Sequence, residues 1–163
     1  MKALGVDPGT AATGVAIVEE KKGKLNAVYY DCIKTSAKLP ISQRLNIIYK
    51  GINDIILTYS PDCLAVEEIF FSSNVKTAIS VGQATGVVLL AGHQNQLDVY
   101  KYTPLQVKKA VVGLGNASKK QVQYMVKAIL KIGDEKIKDD AADALAIAIC
   151  HLNWKGNKEL LSR

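Results

Sequence analysis

The chain has 163 residues, 48% hydrophobic and 22% charged, the balance of one globular domain with a substantial core. Its formal charge of +6 favours a polyanionic partner. The longest apolar run, 86–92, is too short to span a membrane, and Lys2 precedes a strand rather than a leader peptide. Cys32, Cys63 and Cys150 have neither disulfide-framework nor zinc-site spacing, so a reducing, cytoplasmic setting is expected.

The first strand, Lys2-Ala3-Leu4-Gly5-Val6-Asp7, breaks at Pro8-Gly9 and presents Asp7 at its end. Asp-Pro-Gly is also ordinary turn chemistry, so Asp7 gains weight only from acids placed later. A second strand covers Thr13 to Val18, and the run Glu19-Glu20-Lys21-Lys22-Gly23 is expected to be a solvated hairpin loop. A third strand runs from Leu25 to Thr35, completing an antiparallel meander.

From Pro40 the period changes. Leu45, Ile48, Ile52, Ile55, Ile56 and Tyr59 recur at three- and four-residue steps, an amphipathic helix stopped by Ser60-Pro61. Cys63 to Glu68 follows as a short buried strand. A helix between two strands is the mark of a parallel crossover, which places this strand beside the first. Asp7 then meets Glu67 or Glu68.

Ser72 or Ser73 is expected to cap a helix reaching about Asn95. Gly82 and Gly86, one turn apart, permit close backbone approach, either in helix-on-sheet packing or at a subunit contact. His93 reads as an exposed turn residue. Asp98 to Tyr102 makes a fifth strand, and Thr103-Pro104 opens a short helix through about Val112. The glycine-rich 113–118 segment lacks the Gly-Lys-Ser/Thr ending of a phosphate loop.

Ser118 caps the next helix. Lys119 and Lys120 sit in its first turn, where the helix dipole disfavours cations; they point to an anionic ligand or are simply exposed. The last helix runs from about Lys138 to Trp154, with His151 on one face and enough alanine to lie close to the sheet. Asp140 and Asp143 are three apart, and Asp139 and Asp143 four apart, so either pair shares a face. Together with Asp7 and one glutamate they make a set of hard oxygen donors suited to magnesium or manganese. Two such ions serve phosphodiester hydrolysis.

Gly5-Val6-Asp7-Pro8-Gly9, Ala65-Val66-Glu67, Gly82-Gln83-Ala84, Val107-Lys108, Val111-Val112-Gly113 and 140–148, Asp-Ala-Ala-Asp-Ala-Leu-Ala-Ile-Ala, occur in order along nearly the whole chain. In this combination the sequence resembles the RuvC-type Holliday junction resolvases. The resemblance implies an α/β, ribonuclease-H-like fold with a central mixed five-stranded sheet flanked by helices. It implies a single nuclease domain over 1–154 with a C-terminal tail at 155–163, and a homodimer making two symmetric, metal-dependent cuts in a four-way DNA junction. By motif, Asp7 bridges two Mg2+ ions (Mn2+ substituting), Glu67 binds one, and Asp140 with Asp143 holds the other. The motif thereby selects Glu67 over Glu68 and Asp140 over Asp139. Phe70 matches an aromatic that stacks on a base at the junction, although Ile69-Phe70-Phe71 reads equally well as core, and adjacent strand residues face opposite ways. Lys108 and Lys119 match lysines near the cleaved phosphate; Lys76 and Lys120 are further basic candidates for DNA contact. Cooperation with the RuvA–RuvB branch-migration complex is implied by the resemblance alone.

Overall fold

A computed structural model describes residues 1–68, 75–133 and 135–154, and the side chains of all of these except 75 and 76. Its elements, in order, are β1 (Lys2–Asp7), β2 (Ala12–Lys21), β3 (Lys24–Lys34), α1 (Ile41–Tyr59), β4 (Cys63–Glu67), α2 (Val75–Gln94), β5 (Asp98–Tyr102), α3 (Pro104–Val112), α4 (Lys119–Leu130) and α5 (Asp139–Asn153). The five strands form one sheet in the order β3-β2-β1-β4-β5. β1–β2 and β2–β3 are antiparallel, whereas β1–β4 and β4–β5 are parallel, as the meander and the crossover helix require.

Side-chain size sorts the central strands. Ala3, Ala16, Cys63 and Ala65 point to one face, and Leu4, Val6, Val15, Ile17, Leu64 and Val66 to the other. The large residues pack with Ile48, Ile52, Ile55 and Ile56 of α1 and with Ala84, Val88 and Ala91 of α2. The small residues admit α5, whose buried stretch from Ala144 to Cys150 lies on the sheet with α3 and α4 outside it. A Cβ on Gly5 would stand 2.1 Å from the Ala144 carbonyl oxygen, and one on Gly14 would stand 1.9 Å from that of Asp140. Only glycine permits this seating.

Two expectations need correction. The β2–β3 hairpin is tighter than the 19–23 loop foreseen: the strands pair out to Lys21 and Lys24, leaving the two-residue turn Lys22-Gly23. Both turn residues have positive φ, 53° and 73°, the geometry that matches strand twist in a two-residue hairpin. In α2, Gly86 is exposed and a Cβ there would meet nothing within 4 Å, so it takes no part in helix-on-sheet packing. Ala84, Val88 and Ala91 are the buried apolar positions of α2, and Gly92 is the glycine that lies close to Val99 and Leu64. The foreseen start of α2 at Ser72 or Ser73 lies outside the described residues. His93 is exposed as expected, although it belongs to the last turn of α2.

Thr103 and Ser118 each close a capping box, with Gln106 and Gln121 respectively, which fixes where α3 and α4 begin. Cys63 and Cys150 are buried and Cys32 is half-buried, and among the described residues none of the three forms a disulfide.

Candidate active site

Asp7 is the last residue of β1, and Glu67 the last of β4. The parallel register pairs Val6 with Val66, so the two carboxylates leave neighbouring strand ends at the same level. Alternation then separates the two glutamates. Glu67 follows Cys63 and Ala65 onto the α5 face, as Asp7 follows Ala3 and Gly5; Glu68 lies past the strand end and is exposed, its amide donating to the Tyr102 carbonyl at 2.8 Å.

On α5, Asp139 and Asp140 occupy the first turn, where negative charge complements the helix dipole, and Asp143 lies one turn on. The aspartates divide by their neighbours. Asp139 turns to α4, where its carboxylate accepts from Gln123 Nε2 at 3.1 Å and lies 3.6 Å from Lys119 Nζ. The Asp140 carbonyl sits over Gly14, which is directly across the ladder from Asp7. Lys138, just ahead of α5, is pinned to Asp31 of β3 by an ion pair of 2.6 Å.

These acids perturb one another. Asp7 is pushed up to about 7, first by burial, then by the charges of Glu67, Asp143 and Asp140. Burial also raises Glu67, with Asp143 adding to it and the Lys108 and Lys119 ammonium groups opposing. Asp143 is raised by burial against the pull of Lys119, which donates to it at 3.0 Å. Burial works to lower Lys119, but its bonds to Asp143 and Asp139 outweigh that and leave it above its ordinary value.

Glu67, Asp143, Lys108 and Lys119 line one cleft of about 240 Å3, with Pro104, Val107, Val122 and Ala146 forming its apolar wall. The structure thus brings Asp7, Glu67, Asp140, Asp143, Lys108 and Lys119 to one end of the sheet. Lys120 is set apart: it lines a separate hollow with Val112, Gln121, Tyr124 and Met125. Phe70 and Phe71 lie outside the described residues, as does the side chain of Lys76.

As a metal centre the residues fit in chemistry. Three carboxylates are held above their usual range by burial and mutual repulsion that a bound cation would offset, and all offer hard oxygen. Among the described residues, no three acids, histidines or cysteines are already spaced as a cage. Lys119 is the cation in contact with Asp143.

A family model described as "Crossover junction endodeoxyribonuclease RuvC" matches residues 3–151. This chain belongs to the RuvC family. It is 53% identical over 163 residues to the RuvC of Halothermothrix orenii, covering 100% of this chain and 96% of that one. The RuvC of Desulforamulus reducens is 50% identical over 151 residues, with 93% of each covered. A solved structure described as Thermus thermophilus RuvC in complex with Holliday junction substrate superposes with a TM-score of 0.90 at 35% identity, covering 94% of each chain. The mixed sheet flanked by helices is therefore the ribonuclease-H-like fold of a RuvC nuclease. Metal dependence is general to RuvC nucleases.

Sequence reasoning missed two supports of the site. The turn after Asp7 is held by buried hydroxyls: Thr13 Oγ1 donates to the Gly9 carbonyl at 2.7 Å, and Thr10 Oγ1 lies 2.5 Å from Ser80 Oγ of α2. Thr35 Oγ1 donates to the Thr10 carbonyl and accepts from Arg44 Nε at 2.8 Å. Tyr102, which pairs with Glu67 in the ladder, is met by His151, which is buried rather than a plain helix-face residue, its Nδ1 lying 2.8 Å from the Tyr102 hydroxyl and its ring 4.5 Å from that of Tyr100. Among the described residues, no helix is long and apolar enough to cross a membrane.

Proposed function

We propose that this chain is a structure-selective endonuclease that resolves four-way DNA junctions by two symmetric cuts in recombination and repair. One observation carries the reading: Asp7 and Glu67, at neighbouring ends of parallel strands, share a site with Asp140 and Asp143 of α5, beside a cleft flanked by Lys108 and Lys119. The likeness to a RuvC described with Holliday junction substrate supports the four-way junction as the DNA recognised.

Asp7, Glu67, Asp140 and Asp143 would hold Mg2+, two ions per site, with Mn2+ as a substitute. Ions so bound supply an activated water and offset charge on the leaving oxygen of a phosphodiester. The chain's own residues place the DNA. Lys108 and Lys119 hold the phosphate at the cleft, and Lys76 and Lys120 extend the basic surface along the backbone. Phe70 stacks on a base at the crossover. Contacts of this kind read shape and phosphate, so binding falls steeply with salt.

Two cuts related by a two-fold axis call for a homodimer with identical sites. Exposed Gly86 makes the outer face of α2 the natural place for that contact. The nuclease domain spans 1–154, with 155–163 as a tail, and the protein acts in the cytoplasm beside RuvA–RuvB.

The test is nicking of a synthetic four-way junction and of a linear duplex of the same sequence, with Mg2+ or with chelator. Paired symmetric nicks on the junction alone, lost with chelator and in Asp7→Asn while junction binding persists, are expected. Equal cutting of the duplex refutes the junction reading, and near-wild-type cutting by Asp7→Asn refutes the site.

A further inference from the structure

We infer that Lys119 is a resident counter-ion that holds Asp143 until a divalent ion claims that carboxylate, whereupon the ammonium shifts to Asp139 and is free to face the DNA phosphate. The inference rests on the reading of the acids as a metal site. Lys119 Nζ lies 3.0 Å from Asp143 Oδ2 and 3.6 Å from Asp139 Oδ2, so it already spans both acids. It is the first residue of α4, with the backbone there fixed by the Ser118–Gln121 capping box. A cation in the first turn of a helix is placed against the dipole, and the acids of α5 are what hold it there.

An ammonium and a divalent ion seek the same oxygen of Asp143 and repel each other, so each must weaken the other's hold. The second acid gives the displaced ammonium somewhere to go. Asp139 is the more exposed partner, its side chain 70% accessible against 33% for Asp143, and Gln123 steadies its other oxygen. A small rotation about the lysine stem completes the transfer. Released from Asp143 and steadied by Asp139 alone, the ammonium faces the cleft that it lines with Glu67 and Lys108, so readiness to grip a phosphate follows metal loading.

Mn2+ titration of the full chain without DNA, with free Mn2+ followed by electron paramagnetic resonance, tests this. Lys119→Met should bind Mn2+ about three- to fivefold more tightly than wild type, the size of relieving one partly exposed ion pair. Lys120→Met removes the same charge one residue on and should stay within about twofold of wild type, because screening weakens the more distant effect. A second readout is thermal: metal-free Lys119→Met should melt below wild type at pH 8, where the acids have lost their counter-charge, and saturating Mn2+ should close the gap. Unchanged affinity in Lys119→Met, or an equal gain in Lys120→Met, overturns the inference. Wild-type Mn2+ binding that Asp7→Asn leaves untouched overturns instead the metal reading beneath it.

Discussion

Gly14→Ala is the sharpest probe of how the site is built, because Gly14 pairs with Asp7 in the ladder and lies beneath the Asp140 carbonyl. The new methyl would stand 1.9 Å from that oxygen and 2.4 Å from its carbon, where real Cβ atoms essentially never approach within 3.0 Å. Both obstacles are backbone, so no side chain can yield, and the first turn of α5 must withdraw by about 1 Å, a displacement of the kind that costs about 100-fold in rate. Overpacking costs about 1–3 kcal/mol, which for a chain of this size lowers Tm by roughly 3–10 °C. The assay is single-turnover cleavage of a preformed four-way junction with enzyme in excess, beside a melting curve and a gel shift in chelator. We expect cleavage to fall about 100-fold while junction affinity stays within about twofold, since the lysines proposed to bind phosphate are untouched. Gly133→Ala, where a Cβ meets nothing within 4 Å, is the control. Wild-type Tm and rate in Gly14→Ala would refute the seating of α5; lower Tm with an unchanged rate would remove Asp140 from the chemistry.

Two further outcomes follow from the same geometry. Asp7 carries a raised pKa of about 7 against an ordinary 3.8, so the unfolded chain gives up this proton before the folded one does. Metal-free stability should therefore fall as pH rises from about 4 to about 7, and Asp7→Asn should melt above wild type at pH 8 with the difference shrinking toward pH 4; melting curves across that range showing no such convergence would contradict it. Gly86→Ala should stabilise α2 locally by about 0.8–1 kcal/mol through helix propensity. At the proposed subunit contact it should nonetheless weaken the dimer, which sedimentation velocity would register as a larger monomer fraction; an unchanged dimer moves the contact elsewhere.

The elements were legible because their periods differ cleanly: Ile48, Ile52, Ile55 and Ile56 can only be one helical stripe, and Asp7 before Pro8-Gly9 only a strand end. The choice between Glu67 and Glu68, which periodicity left open and only the motif made, has a counterpart in side-chain size that the structure displays. Ala3, Gly5, Ala16, Cys63 and Ala65 alternate with Leu4, Val6, Ile17, Leu64 and Val66, and Glu67 falls on the small-residue side that receives the alanine-rich helix. Asp139 and Asp140 were not separable this way. Both share a helical face with Asp143, and only Gln123 and Lys119, supplied by another helix, tell them apart. The Thr10–Ser80 contact joins positions 70 apart, and Tyr102–His151 joins positions 49 apart. Contacts set by tertiary packing leave no local spacing to read. The Lys22-Gly23 turn was missed because a run of charges looks like a loop until both residues are seen at positive φ.

The alternation of large and small side chains also partitions the molecule. Each buried apolar residue of the central strands commits to one of two separate cores, one shared with α1 and α2, the other with α3, α4 and α5. The acids and the cleft belong wholly to the second. The sheet is thus a bulkhead crossed at the turn after Asp7, where Thr10 meets Ser80 of α2 and Thr35 meets Arg44 of α1: substitutions on the α1–α2 side away from those contacts can repack one core while leaving carboxylate spacing intact.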